Sequence, residues 1–249
     1  MRKISYALIG GGMMGLEHIR YVKKVPNARI QTIVEPNALQ RSQCQKEIPD
    51  VEFTPLNSLK HRDDIDAAII CTPNYTHFEI LTFLFDTKIK NILLEKPVVT
   101  NPADVLKIKK MAENWIGKIW VGMEYRYMAP IAELLKEIQK GTIGNSWMMT
   151  VREHRNPFLK KVDDWNRFHV KTGGTLVEKC CHFFDLMHLF LKENPVRVFA
   201  SGGSSVNHKH EFYSNGKPDI IDNAFVIVDF ENGKRAMLDL CMFEKKKKY

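Results

Sequence analysis

Ile4–Gly15, ISYALIGGGMMG, is a short apolar run that breaks into a glycine-rich turn. Apolar residues of this kind followed at once by glycines predict a buried strand, a tight turn and the start of a helix. Gly10 lets the chain turn sharply off the strand, Gly12 leaves room for a ligand to approach the backbone, and Gly15 lets the following helix pack close to the sheet. The N–H groups at the start of that helix, around Met13 and Met14, and the helix dipole both suit phosphate oxygens. A second apolar run, Arg29–Val34, ends in Glu35, twenty residues after Gly15. A strand-end carboxylate at that distance accepts hydrogen bonds from an adenosine ribose, and the order of strand, glycines, helix and acid predicts a dinucleotide site.

The pattern repeats along the first half. Helices are expected over Met13–Lys24, from Pro36-Asn37 to about Glu47, over Tyr75–Phe85 and over Ala103–Trp115 behind Pro102. Strands are expected at Asp66–Thr72, Asn91–Glu95 and Lys118–Met123. Alternation of this kind implies a parallel sheet covered on both faces. The pattern changes near Glu124, which sets the expected division at 1–124 and 125–249. In the second part a helix over Pro130–Gln139 ends at Gly141 and a strand follows at Ser146–His154. Pro157–Gly174 is a long polar and aromatic connection, of a length that is often functional. A helix over Thr175–Leu191 is next, and Ala224–Phe230 and Lys234–Phe243 flank the hairpin signal Asn232-Gly233. The fold class read from this is α/β, a parallel N-terminal sheet followed by an α+β domain with a mainly antiparallel open sheet.

Composition narrows the class of partner. Of 249 residues, 44% are hydrophobic and 27% charged, as in ordinary globular proteins. The formal charge is +8, but apart from Lys245–Lys248 the basic residues are spread out, which argues against nucleic acid while still favouring an anionic cofactor. The five cysteines, Cys44, Cys71, Cys180, Cys181 and Cys241, lack the spacing of a zinc site or a disulfide framework, so no metal is expected. With no secretory h-region and no apolar run long enough to span a bilayer, a cytoplasmic protein that engages no membrane is expected.

Two strand ends bring chemistry to the edge where open α/β sheets bind ligands. Cys71-Thr72-Pro73-Asn74 follows one strand, and Glu95-Lys96-Pro97 follows the next. His77, early in a helix, can help close a cofactor site or serve the fold. In the second half, Glu178, His182 and Asp185 share i, i+4, i+7 spacing on one helix face. A carboxylate one turn before an imidazole can orient a general base, although a solvated polar stripe has the same spacing.

Taken together, IGGGMMG, CTPNYTH, LLEKP, GMEYRYMAPIAEL, GTIG and TGGTLVEKCCHFFDL resemble, in order, the glucose-fructose oxidoreductase, inositol dehydrogenase and rhizopine catabolism (Gfo/Idh/MocA) family. The resemblance implies a Rossmann domain followed by an α/β domain whose open sheet carries substrate and subunit contacts, hence a homo-oligomer. It implies hydride transfer between NAD and a hydroxyl-bearing carbon of a sugar or cyclic polyol. Lys96 then matches the family's EKP lysine and His182 its catalytic histidine, with Glu178 where many relatives carry aspartate. Cofactor contacts are expected from Gly10, Gly12, Met13, Met14, Gly15, Glu35, Cys71, Thr72, Pro73, Asn74, His77, Glu95 and Lys96. Substrate contacts are expected from Lys96, Arg126, Asn156, Trp165, Asn166, His169 and His182. Glu35 repels a 2′-phosphate and so favours NAD over NADP, with Arg41 acting against it. Members of the family continue past the strand matching Lys234–Phe243, so an incomplete second domain is expected. That leaves two further readings, a nicotinamide-binding regulatory or interaction protein and a catalytically impaired truncated homologue.

Overall fold

The computed structural model describes residues 3–214 and 216–244, so the Lys245–Lys248 run lies outside the described residues. The chain divides between Gly122 and Met123 into two units, each with its own sheet.

The first unit runs β1 (Ile4–Ile9), α1 (Met13–Val22), β2 (Ala28–Val34), α2 (Ala38–Glu47), β3 (Glu52–Phe53), β4 (Ala67–Ile70), α3 (His77–Phe85), β5 (Asn91–Leu94), α4 (Pro102–Glu113) and β6 (Lys118–Val121). All neighbouring pairs are parallel and the strand order is β3-β2-β1-β4-β5-β6, so the winding reverses between β1 and β4. Strand periodicity sorts the core onto two faces. Ala7, Ile9, Val34, Ala68, Ile70, Ile92 and Leu94 pack with Ile80, Leu81 and Leu84 of α3 and Ile108 of α4. The intervening residues Leu8, Ile33 and Ile69 face the other way, with Ile19 of α1 and Cys44 of α2. Two helix starts follow directly from sequence: the Asn37 side chain accepts from the N–H groups of Leu39 and Gln40, and that of Asn101 accepts from Ala103 ahead of Pro102. Such caps contribute about 1 kcal/mol each.

The second unit runs α5 (Ala129–Gln139), β7 (Met148–His154), α6 (His169–Thr172), α7 (Thr175–Glu178), α8 (Cys181–Leu191), β8 (Pro195–Gly203), β9 (Asn223–Phe230) and β10 (Arg235–Cys241). The sheet order is β7-β10-β9-β8; β8, β9 and β10 pair antiparallel, whereas β10 and β7 run parallel. One face of β9 and β10, formed by Ala224, Val226, Val228, Phe230, Ala236, Leu238 and Leu240, packs on Phe183, Met187 and Leu191, a single stripe of α8. The other face exposes Phe225 and Ile227, with Phe199 beside Ile227 on β8. Between β9 and β10, Asn232 and Gly233 both take positive φ, as the Asn-Gly signal requires.

Three features depart from the sequence reading. The helix expected over Thr175–Leu191 is two helices, because Lys179 and Cys180 interrupt it; both are buried, and Lys179 commits its side chain to groups outside the helix. Glu178, His182 and Asp185 therefore do not sit on one uninterrupted helix face. Strand β8 gave no usable signal, since almost all of it is exposed and no burial pattern marks it. The two-residue strand β3 is too short for any periodicity.

The long connection is held by ionic groups. Arg167, only 2% exposed, donates through Nε to Glu211 Oε2 at 3.0 Å. The same carboxylate accepts from Tyr213 Oη at 2.7 Å and meets His208 Nδ1 at 2.9 Å. Burial alone would raise the Glu211 pKa, but hydrogen bonds from His208, Tyr213 and Arg167 win and bring it down to about 2. A carboxylate whose pKa is lowered by folding stabilises the folded state above its ordinary pKa and loses that contribution as the pH falls toward the folded value. Glu211→Gln should therefore lower stability by about 1 kcal/mol at neutral pH and flatten the acid limb of the unfolding curve between about pH 4.5 and 2. Thermal melts of both proteins from pH 7 to pH 3 check this; parallel curves would contradict it.

Candidate active site

In the first unit the C-terminal ends of β1, β4 and β5 lie side by side. The ladder runs one residue past each strand: Gly10 N–H donates to Val34 O, Cys71 to Ile9 O and Glu95 to Ile70 O, at 2.9, 2.7 and 3.0 Å. Gly10 has φ +97°, and a Cβ there would lie 2.7–2.8 Å from the backbone of Cys71 and Thr72. A Cβ on Gly15 would lie 2.1 Å from Gly10 O, so the first turn of α1 needs glycine to pass the loop. A Cβ on Gly12, by contrast, meets nothing within 4 Å. Gly12 caps α1 without a side-chain hydrogen bond, and the first turn, containing Met13 and Met14, holds no acidic residue. An open cradle at a helix N-terminus that has no side-chain cap and no acidic residue in its first turn fits a pyrophosphate.

Glu35 is 9% exposed and braces this loop: Oε2 accepts from Gly11 N–H at 2.6 Å and Oε1 from Asn37 N–H at 2.8 Å. A carboxylate has about four acceptor positions, so two remain for ribose hydroxyls. Arg41 donates from Nε to the Glu35 carbonyl and lies over the Phe53 ring, 6.0 Å from its centroid. The bracing role of Glu35 and the tether on Arg41 leave no trace in the sequence.

His77 is fully buried and spans the two neighbouring strand ends, with Nδ1 2.7 Å from Pro97 O and Nε2 3.0 Å from Thr72 O. Thr76 bonds to the Thr72 hydroxyl, and Asn74 is buried at the start of the same turn. Glu95 is gripped from α1 by His18, Nε2 to Oε1 at 2.7 Å, a partner that sequence reading missed. Lys96 follows, half buried, at the end of β5. Burial first, and the Glu95 charge second, push the Cys71 thiol well above its usual range; burial, then Glu35 and Glu47, push Cys44 up to about 11. Both remain thiols at neutral pH, which removes them as nucleophiles.

In the second unit His182, 2% exposed, lies on the first turn of α8. Its Nε2 is 3.4 Å from Glu124 Oε1, and its ring stacks on Tyr125 with centroids 4.4 Å apart and planes 8° apart. Tyr125 Oη accepts from Lys179 Nζ at 2.5 Å, and Lys179 pairs with Glu153 Oε1 at 3.1 Å. Glu178 is also buried, at the end of α7. Glu124, Tyr125 and Lys179 were not legible as site residues, because their meeting requires the fold.

The expected substrate-side residues divide. Arg126 gives its guanidinium fork to Asp185, with Nε 2.6 Å from Oδ2 and a second bond from Nη2 to Oδ1. Asn166, 1% exposed, donates to Leu159 O and accepts from Arg167, so its amide is used inside the loop. Trp165 is buried beside it. Asn156 and His169 are exposed; the His169 N–H donates to Asp219 and its ring lies against Gly174. Among the described residues no group of three metal-ligating side chains converges, and no helix is long and apolar enough to cross a membrane.

Comparison with known proteins agrees with this architecture. Residues 4–123 match the profile described as oxidoreductase family, NAD-binding Rossmann fold, and residues 136–249 match oxidoreductase family, C-terminal alpha/beta domain. The chain is 26% identical to an inositol 2-dehydrogenase of Rhizobium meliloti over 94% of its own length and 68% of the relative's. It is 27% identical to a 2,7-anhydro-N-acetylneuraminate hydratase of Mediterraneibacter gnavus, covering 96% and 62%. The chain thus spans about two thirds of the length of such relatives. Among solved structures, myo-inositol 2-dehydrogenase from Lactobacillus plantarum superposes with TM-score 0.82 at 18% identity, covering 97% of this chain and 70% of that one. The WlbA dehydrogenase from Bordetella pertussis, in complex with NADH and UDP-GlcNAcA, gives 0.83 at 18%, covering 99% and 74%. With both halves matched in order and a strand-end cradle of the right form, the chain belongs to the Gfo/Idh/MocA oxidoreductase family.

Proposed function

We propose that the protein is an NAD-dependent oxidoreductase acting on a secondary alcohol of a sugar or cyclic polyol. One observation supports this above the others: His182 is buried with a carboxylate at its Nε2 and an aromatic ring stacked on its face, the surroundings of an oriented base rather than of a surface histidine. When bound, NAD supplies the acceptor for the hydride leaving the substrate carbon. Gly12 would leave the room for its pyrophosphate, Gly10 and Gly15 hold the turn and the helix start that shape that cradle, and Glu35 would accept from its adenosine ribose. His182 takes the alcohol proton, and Lys96 stabilises negative charge on the substrate oxygen. Glu178 and Glu124 are the carboxylates available to hold the imidazole. Relatives that include inositol dehydrogenases support a polyol substrate, and the hydratase among them makes the substrate test necessary.

His182→Ala and Lys96→Ala should each lower turnover by roughly 10² to 10⁴, equivalent to about 3 to 5 kcal/mol, with NADH affinity within about threefold of wild type. Steady-state rates and NADH fluorescence titrations measure both; loss of NADH affinity without a separate loss of turnover would contradict the roles given.

Glu35 should make NADH bind at least about tenfold tighter than NADPH, a difference of about 1.4 kcal/mol, and Glu35→Gln should narrow the gap. Parallel titrations decide it, and tighter NADPH binding by the wild type would contradict the assignment.

The open sheet face suits a second copy of the chain. Phe199, Ile227 and Met237 form an apolar row, and the neighbouring rows carry Arg197–Asp229 and Arg152–Asp239 ion pairs. Light scattering should find a dimer or larger assembly that Ile227→Glu shifts toward monomer; a wild-type monomer would contradict this.

A further inference from the structure

A buried ammonium costs several kcal/mol unless it is paired and hydrogen bonded, so the groups that pair with a buried lysine are fixed by it as much as it is by them. Lys179 is 7% exposed. It sits at the break between α7 and α8, and its Nζ is 3.1 Å from Glu153 Oε1 on β7 and 2.5 Å from Tyr125 Oη. Nζ also lies 4.8 Å from the Tyr125 centroid and 5.4 Å from that of Phe183. Tyr125 is thereby gripped at its hydroxyl, while its ring edge meets Phe183 at 5.7 Å and 62° and its face covers His182 at 4.4 Å. Nothing in this arrangement requires Lys179 to touch substrate. Its hydrogen bond fixes the phenol, and the phenol fixes the plane in which the imidazole lies.

We propose that Lys179 and Tyr125 are positioning residues for His182, with Glu153 as the anchor of the lysine. The proposal rests on the dehydrogenase reading for its kinetic consequence but not for its structural one. A flat ring stacked at 4.4 Å blocks rotation of the imidazole about its Cβ–Cγ bond, and that rotation would carry Nε2 away from Glu124. A displacement of about 1 Å at a reacting centre can cost about 10² in rate. An apolar side chain in place of Lys179 would fill the space but leave the phenol oxygen unanchored. Glu153 retains Arg155, with Nη1 3.7 Å from Oε1, so Lys179→Met does not strand its carboxylate.

The test has two arms. In the first, Lys179→Met and Tyr125→Phe should each lower kcat about tenfold, with KM and NADH affinity unchanged. The double variant should lose no more than either single one, and Lys179→Met should have no effect in a His182→Ala background. Lys179→Arg should recover most of the rate. Additive losses, or an undiminished loss in the His182→Ala background, would overturn the proposal. In the second arm, the ring resonances of His182, assigned by their disappearance in His182→Asn, are followed by NMR. They should be displaced by ring current from Tyr125, move by similar amounts in Lys179→Met and Tyr125→Phe, and stay in place in Lys179→Arg. Unmoved resonances in Lys179→Met would overturn the proposal even if no substrate is turned over, and shifted resonances with no turnover would instead count against the dehydrogenase reading. Should Lys179→Met fail to fold, Tyr125→Phe keeps the ring and gives the same decision.

Discussion

The close approach of Gly10 to the end of β4 is the constraint on which the first unit depends. A side chain there would collide with the backbone of Cys71 and Thr72, so the loop after β1 and the loop after β4 can lie against each other only through glycine. From that contact follow the cradle over Gly12, the tight passage of Gly15 beneath Gly10 O and the bracing of Gly11 by Glu35. Both faces of the sheet are sealed by apolar residues, which leaves its carboxyl edge as the place where polar groups gather. His77 then ties the Thr72 and Pro97 carbonyls together, so the loops carrying Thr72 and Lys96 are mutually fixed.

The second unit solves a different problem, the placing of one imidazole in a buried position. The apolar stripe of α8, Phe183, Met187 and Leu191, docks the helix on β9 and β10 and fixes where His182 emerges. Glu124 and Tyr125 lie in the turn that opens the unit, and Lys179 lies at the break that precedes α8. Two irregular segments, neither recognisable by pattern, therefore meet the first turn of α8 around a single ring. The ionic network of Arg167 and Glu211 fixes the long connection together with the buried rings of Trp165 and Phe168.

Much of this was legible in the sequence, for identifiable reasons. Strands buried on both faces leave uninterrupted apolar runs, and so β1, β2, β4 and β5 could be placed before any coordinates. Gly10 and Gly15 were legible because steric exclusion admits only glycine. The Asn232-Gly233 turn was legible because its backbone requires positive φ. Strand β8 was not, since an exposed edge strand has no alternation to read. The break at Lys179 was hidden because the apolar spacing of 176–191 continues helical periodicity across it. Arg126 and Asn166 show the same limit from another side: polar residues suited to a polyol are equally suited to Asp185 and to a loop carbonyl, and only the fold tells which partner is near.

Turnover is what separates an oxidoreductase from a protein that merely holds a dinucleotide. The direct measurement is the appearance of reduced nicotinamide by absorbance when the protein and NAD are mixed with a panel of inositols, sugars and sugar acids, after NADH binding has been established by fluorescence. Reduction is expected with at least one cyclic polyol or sugar. Tight NADH binding with no reduction by any member of the panel would contradict it and leave a nicotinamide-binding regulator in its place.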